Sequence, residues 1–448
     1  MIRPLPILAG LALLAAATPL PATAKSGVSP ARAFVPRQVV LKLERQRHGR
    51  AVELPAGVGV REAVASLRER PGVAYAAPNY LATASATKAQ PSLAAIANDP
   101  GPLSKPPGPA GGWVSLQWNL LPWEGAATAA LPVSPGGIDA VGAWRNLIAA
   151  QRGGAAGITV AVLDTGVAYR PWGSRFRRSP DFASGQFVNG HDFVDNDRLP
   201  LDQNGHGTHV AGTIAEKTNN GVGLVGLAYR AKLMPVRVLD RHGSSEADDI
   251  ARGIRFAVDR GADVINMSFN FGCGKNVPGI NQELRRAYRA GVVTVASIGN
   301  LGSEACVSPP ATSPRTIGVG GSTEGGCLGS YSVLPGKGID LLAPGGGPPV
   351  PGCPSISDRP IFQVTLRGGN PRLFGEPGSY VGTSMAAAHV SGVAAMVLAS
   401  GVLSRKLSPQ TTVERVARRL RNTARSLGRP ASREGAGLID AAAATEAD

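Results

Sequence analysis

Three short segments carry residue types that work together in acyl transfer. Val160–Gly166 is an apolar run that ends in Asp164 and a turn glycine. Asn204–Gly212 sets His206 between two glycines, and Gly382–Ala386 sets Ser384 ahead of an alanine-rich apolar stretch reaching about Ala399. A serine hydroxyl becomes a nucleophile when an imidazole takes its proton. A carboxylate then holds the imidazole tautomer and stabilises the imidazolium that forms. A helix starting under Ser384 adds unpaired N–H groups and positive dipole where negative charge develops. Taken singly, the pieces have other readings. An Asp-Thr-Gly turn also serves aspartic peptidases, whose chemistry needs a second carboxylate loop, and only one is present here. His206 and His209 stand three apart, but no third zinc ligand stands out. A serine before such a helix is commonly just an N-cap. The order Asp, His, Ser, each at an element boundary, favours the catalytic reading.

Groups so far apart in sequence need a rigid scaffold. Strand-like runs at 158–163, 232–239, 264–267, 292–296 and 316–319 alternate with helical spacing at 248–260 and 282–290. Such alternation predicts an α/β fold, a mostly parallel central sheet flanked by helices in three layers. Function in such folds gathers beyond the strand ends. Ahead of it, strand-like patterns at 38–42 and 73–75 with helical spacing at 60–70 predict a small α+β domain. Residues 83–112 shift to Ala, Ser, Pro and Gly and read as a linker.

The full length is 448 residues with a formal charge of +15; Gly (58) and Pro (37) stay below low-complexity levels, and no collagen-like period occurs. Residues 1–24 read as an export signal: Arg3, an apolar run from Leu5 to Ala17, and Ala22-Thr-Ala24 before Lys25. No other segment is read as long and apolar enough to span a bilayer, and a secreted monomer is expected. Residues 25–88 carry eleven Lys or Arg against four Glu, and with Arg3 just over half of the charge lies ahead of the α/β part. The charge is therefore no argument for a nucleic-acid partner. The basic stretch Arg415–Arg429, with Val416 and Leu420 on one side, reads as a solvated helix face. Four cysteines suit an oxidising exterior and allow three connectivities, of which the shorter loops favour Cys273 with Cys306 and Cys327 with Cys353.

The combined pattern resembles the subtilisin-like serine peptidases, the subtilases. The likeness runs from Gln117–Leu120 and Ala143-Trp144 to Gly435–Asp440. It implies a catalytic domain over 113–448, with Asp164 orienting, His206 as base then acid, and Ser384 as nucleophile. Ser297–Asn300 matches the family's oxyanion segment, which makes Asn300 a side-chain donor beside the Ser384 N–H. Peptide or protein substrates would lie along Ser268-Phe269-Asn270 and Gly243-Ser244-Ser245, where Asn270 and Ser245 replace the usual glycines. Residues 25–82, through Gly72–Tyr80, resemble the inhibitor-like propeptide, which assists folding, occupies the cleft and is cut away. Ca²⁺ is implied at Asp181 and Asn220, and a second loop at Asp192, Asp195 and Asp197. One departure is Ala388, where the family has proline; a free N–H there can bond to the Ser384 carbonyl. An inactive binding or scaffold homologue and a peptide-ligating acyl transferase are the rival readings.

Overall fold

The computed structural model describes residues 34–46, 50–80, 97–104, 107–125, 131–271, 275–302, 306–332, 339–403 and 407–447. The expected export signal lies outside them. The chain divides into two units, residues 1–90 and 91–448.

In the first unit β1 (Phe34–Leu43) pairs antiparallel with β2 (Arg50–Glu53) and β3 (Val73–Tyr80), with β1 central. Helix α1 (Val60–Arg68) buries Val60, Val64 and Leu67, an i, i+4, i+7 stripe, in a core with Val39, Leu54 and Ala76. Strand β2 escaped the sequence reading because Val52 alone among its four residues is even half-buried.

The second unit is built on seven strands in the order β10-β9-β8-β7-β4-β6-β5, every pairing parallel. These are β4 (Thr159–Asp164), β5 (His191–Asp192), β6 (Lys232–Arg237), β7 (Val264–Met267), β8 (Val293–Ser297), β9 (Thr316–Ser322) and β10 (Leu341–Pro344). Strands β4, β7 and β8 are buried along almost their whole length, as expected for a sheet covered by helices. Helices α3 (His206–Ala215) and α6 (Thr383–Ser400) pack together on the sheet, as do α4 (Ala247–Asp259) and α5 (Pro278–Ala290). Helix α2 (Ala140–Ala149) contributes Trp144, which meets Trp113 edge-on at 5.8 Å. Strands β11 (Thr365–Leu366) and β12 (Phe374–Gly375) form a separate ribbon.

Four expectations need correction. The second half of the supposed linker is packed into the large unit. Asp99 is fully buried and accepts from the N–H groups of Asn219 (2.7 Å) and Asn220 (3.0 Å), while Leu103 N–H donates to Glu376. A buried carboxylate satisfying loop amides anchors a segment whose composition alone reads as spacer. Helix α6 is also long and apolar enough to cross a membrane, although 83% of it is buried here, which marks it as a core helix. The basic carboxy-terminal helix α7 runs over Pro409–Asn422, earlier than expected, because Ser408 caps it and Pro409 fills its first turn. Its buried side chains are Val413, Val416 and Leu420. At the acidic loop around β5, the expected metal ligands Asp192 and Asp195 instead hold Arg237. Cys327 and Cys353 are disulfide-bonded as expected. Cys306 is also disulfide-bonded, and its expected partner Cys273 lies outside the described residues.

Candidate active site

Asp164 closes β4, the strand between β6 and β7 near the middle of the sheet. Its carboxylate is wholly buried, and Oδ1 accepts from Thr165 N–H at 2.8 Å and from His206 Nδ1 at 2.7 Å. His206 is the first residue of α3 and follows Gly205, which has φ of 108°. The glycine after it is needed for space. A Cβ on Gly207 would lie 2.2 Å from the Gly166 carbonyl and 3.1 Å from the Asp164 side chain. Burial by itself would lower the His206 pKa, but the Asp164 charge and hydrogen bond, with Asp202 behind them, raise it above its ordinary value.

Ser384 is the second residue of α6 and half-buried. Its Oγ donates to the Ser268 carbonyl at 3.0 Å, and Ser268 Oγ donates back to the Ser384 carbonyl at 2.8 Å. Ser268 directly follows β7, whose Met267 pairs with Leu163 of β4. The reciprocal pair therefore holds Ser384 at the strand end next to Asp164. It also gives the Ser384 carbonyl a partner whatever Ala388 does. Asn300 follows β8, and its Oδ1 accepts from Thr383 N–H at 2.8 Å and Thr383 Oγ1 at 2.9 Å. With the carbonyl end taken up, the amide NH₂ is the end presented to a ligand. A side chain on Gly382 would meet that nitrogen at 2.8 Å, which explains the glycine.

The two expected peptide-binding segments lie past the ends of the strands flanking β4. Neither is a strand. Ser268-Phe269-Asn270 is loop after β7, and Gly243-Ser244-Ser245 is an exposed turn in which Ser244 O accepts from Asp240 N–H. Both expected sheet edges are thus loop backbone, because the strands before them stop at Met267 and Arg237.

Among the described residues, no three or more His, Cys, Asp or Glu side chains gather as a metal site. The second expected calcium loop is overturned by Arg237. Its guanidinium, 4% exposed, bridges Asp192 at 2.6 Å and Asp195 at 2.5 Å, while Asp197 caps the Leu199 N–H at 2.7 Å. An internal cation stands where an external one was expected. Arg237→Met leaves the buried Asp192 unpaired and should cost about 3 kcal/mol of stability, read as a lower denaturant midpoint. In the first loop Asp181 is buried and raised well above the usual carboxylate range by that burial. It accepts from Asn220 Nδ2 and Leu224 N–H, both at 2.8 Å. Glu216, whose pKa burial raises too, lies close to it in charge terms. The Asp181 and Glu216 carboxylates give a buried, anionic setting that suits Ca²⁺, while Asn220 turns its NH₂ to Asp181 and accepts from the Val222 N–H through Oδ1.

Several residues of the site lay beyond sequence reasoning. Asp202 is buried and gathers Thr165 Oγ1, Asn204 N–H, Gly205 N–H and both donors of Thr208. It thereby fixes the turn that presents His206. Its only sequence signal is its place four residues before that histidine. Tyr380 stacks on His209 at 4.1 Å, and His209 Nε2 bonds to the Ile361 carbonyl at 2.9 Å. Burial pushes His209 down to about 3, a neutral structural group rather than half of a zinc site.

Residues 155–438 match the subtilase family. A thermophilic serine proteinase of a Bacillus species is 38% identical over 248 residues, 55% of this chain and 54% of that relative. Thermitase of Thermoactinomyces vulgaris is 36% identical over 245 residues, covering 55% of this chain and 76% of the relative. A solved protease structure from Pseudoalteromonas arctica superposes with a TM-score of 0.59 at 29% identity, over 78% of this chain and 98% of that one. Fold and likeness together define an α/β protein of the subtilisin-like serine peptidase class. The chain belongs to the subtilase family.

Proposed function

We propose that the chain is an endopeptidase that hydrolyses peptide bonds through an acyl-enzyme, with Asp164, His206 and Ser384 as the triad. The observation that carries this reading is the 2.7 Å bond from His206 Nδ1 to a buried Asp164, beside a Ser384 tethered one strand away. In the resting state the serine hydroxyl points to Ser268 O. Rotation about its Cα–Cβ bond turns it toward His206 Nε2, which takes the proton as Oγ attacks the scissile carbonyl. Catalytic hydrogen bonds are often formed only with substrate bound. The tetrahedral oxyanion is met by Asn300 Nδ2 and the Ser384 N–H. His206 then returns the proton to the leaving amine, and water repeats the cycle on the ester.

Asn300→Ala should lower kcat by about 100–1000-fold with little change in KM, as for removal of one oxyanion donor generally. Thr383→Val, which removes one of the two donors that hold Asn300 Oδ1 and keeps the backbone N–H, should reproduce part of that loss. A serine-directed covalent probe tests the reading as a whole. Stoichiometric labelling that disappears in Ser384→Ala supports it, and no Ser384-dependent labelling would sink it.

The substrates are peptides or proteins. We read residues 25–82 as a propeptide and cleft inhibitor, and the product as a secreted monomer. Maturation falls ahead of Ala97, because Asp99 is built into the large unit; amino-terminal sequencing of the matured protein checks this. Calcium, when bound at Asp181 and Asn220, would screen the buried negative charge there. A chelator-induced drop in melting temperature tests that assignment.

A further inference from the structure

The described structure has a cavity of about 940 Å³ to which Asp164, His206, Ser384 and Asn300 contribute nothing. Its walls come from the turns after β4, from edge strand β5 and from the end of α4. Arg170, Arg178, Arg198 and Arg260 line it, against a single carboxylate, Asp197. That carboxylate already accepts from Leu199 N–H. None of the four cavity arginines forms an ion pair among the described residues.

The aromatic lining holds some of this charge in a set direction. Arg170 stacks over Trp172 with 5.4 Å to the ring centroid, and Arg260 over Phe256 at 5.3 Å. A guanidinium lying flat on a ring keeps its N–H edge free for carboxylates. Trp172 is 46% exposed, a large apolar surface beside concentrated positive charge. The neighbouring sheet edge is closed to strand addition. Asp192 and Asp197 exchange their own N–H···O bonds there, so recognition falls to side chains.

We propose that this cavity is a second binding site, for an acidic stretch of polypeptide. Carboxylates engage the four arginines, and an apolar residue of the same stretch covers Trp172. An acidic ligand would offset the mutual repulsion of the four clustered cations. Its volume suits several residues of an extended chain better than a single small anion. Two of its walls lead directly into the segments that carry Asp164 and His206. Given the peptidase reading above, on which this consequence rests, the cavity would favour substrates with an acidic region outside the scissile segment.

The test uses the full chain carrying Ser384→Ala, so that binding is read without cleavage. Fluorescently labelled peptides rich in Glu, Gln or Lys, otherwise matched, are titrated at two ionic strengths. The Glu peptide should bind, more tightly at low salt, and should change Trp172 emission. Replacing all four arginines by Gln should weaken it by about tenfold, the sum of four modest exposed contacts. Equal binding of the Gln and Glu peptides, or an unaltered affinity in the four-arginine variant, overturns the proposal. So does a single-stranded oligonucleotide that binds tighter than the Glu peptide. With Ser384 present, the four-arginine variant should cleave a neutral short peptide normally and lose efficiency only on one with an acidic extension. If the unmodified protein cleaves neither, the peptidase reading fails while the binding result stands by itself.

Discussion

Ser384→Ala is expected to lower kcat by about 10⁶-fold, with substrate binding little changed, a loss of the size found when this triad loses its nucleophile. The physical reason lies in the reciprocal Ser268–Ser384 contact. Because the Ser384 carbonyl is held by Ser268 Oγ, the backbone that offers the oxyanion N–H should stay in place when the hydroxyl goes. The variant loses the covalent route and keeps the oxyanion donors, so a residual rate above that of water, by roughly 10³–10⁴-fold, should remain. A single-turnover assay shows whether the acyl-enzyme burst has vanished. Retained binding of a product-like peptide shows that the cleft is intact. A variant with near-normal turnover would remove Ser384 from the mechanism.

Asp164→Asn should cost about 10⁴-fold in kcat, the loss seen where the triad carboxylate becomes an amide in other serine peptidases. An amide NH₂ facing Nδ1 makes that nitrogen the acceptor, which leaves the proton on Nε2, where the base is needed. The pH profile should move as well. Burial lowers the His206 pKa, and it is the Asp164 charge that raises it above the ordinary imidazole value of about 6.5. Catalysis needs neutral His206, so activity should rise with pH through that raised pKa, and the acid limb of kcat/KM should lie above about 6.5. Without that charge, burial is opposed only by the weaker effect of Asp202, and the limb should shift to lower pH. The same raised pKa stabilises the folded state below the unfolded imidazole pKa. That contribution fades as pH climbs through the folded value. An acid limb that stays put in Asp164→Asn would separate the limb from His206.

The site was legible to the extent that its residues announce themselves locally. Asp164, His206 and Ser384 stand at the end or start of an element, and each, like Asn300, has a glycine within two residues. Gly207 next to Asp164 and Gly382 next to Asn300 show why those glycines are required. The strands at 264–267 and 316 onward read correctly because buried parallel strands are continuous apolar runs. Helix α6 read correctly as a helix but carried a membrane-like composition, since a wholly buried helix and a spanning helix present the same surface.

Partners distant in sequence were not legible. Asp192, Asp195 and Asp197 look like an oxygen cage until β6 brings Arg237, more than forty residues on, into their midst. Asp99 sits in a stretch whose composition says spacer, and only the loop at Asn219 and Asn220, 120 and 121 residues away, reveals it as an anchor. Thr383 aims Asn300 across 83 residues, and four arginines from three separate segments meet in one cavity. By itself, the sequence determined the fold class and the periodic elements, because propensity and burial period are short-range properties of the chain. The tertiary structure decided which charges are already paired, which amide end faces outward and which cations lack a carboxylate partner, because electrostatics and hydrogen bonding depend on distances that only folding sets.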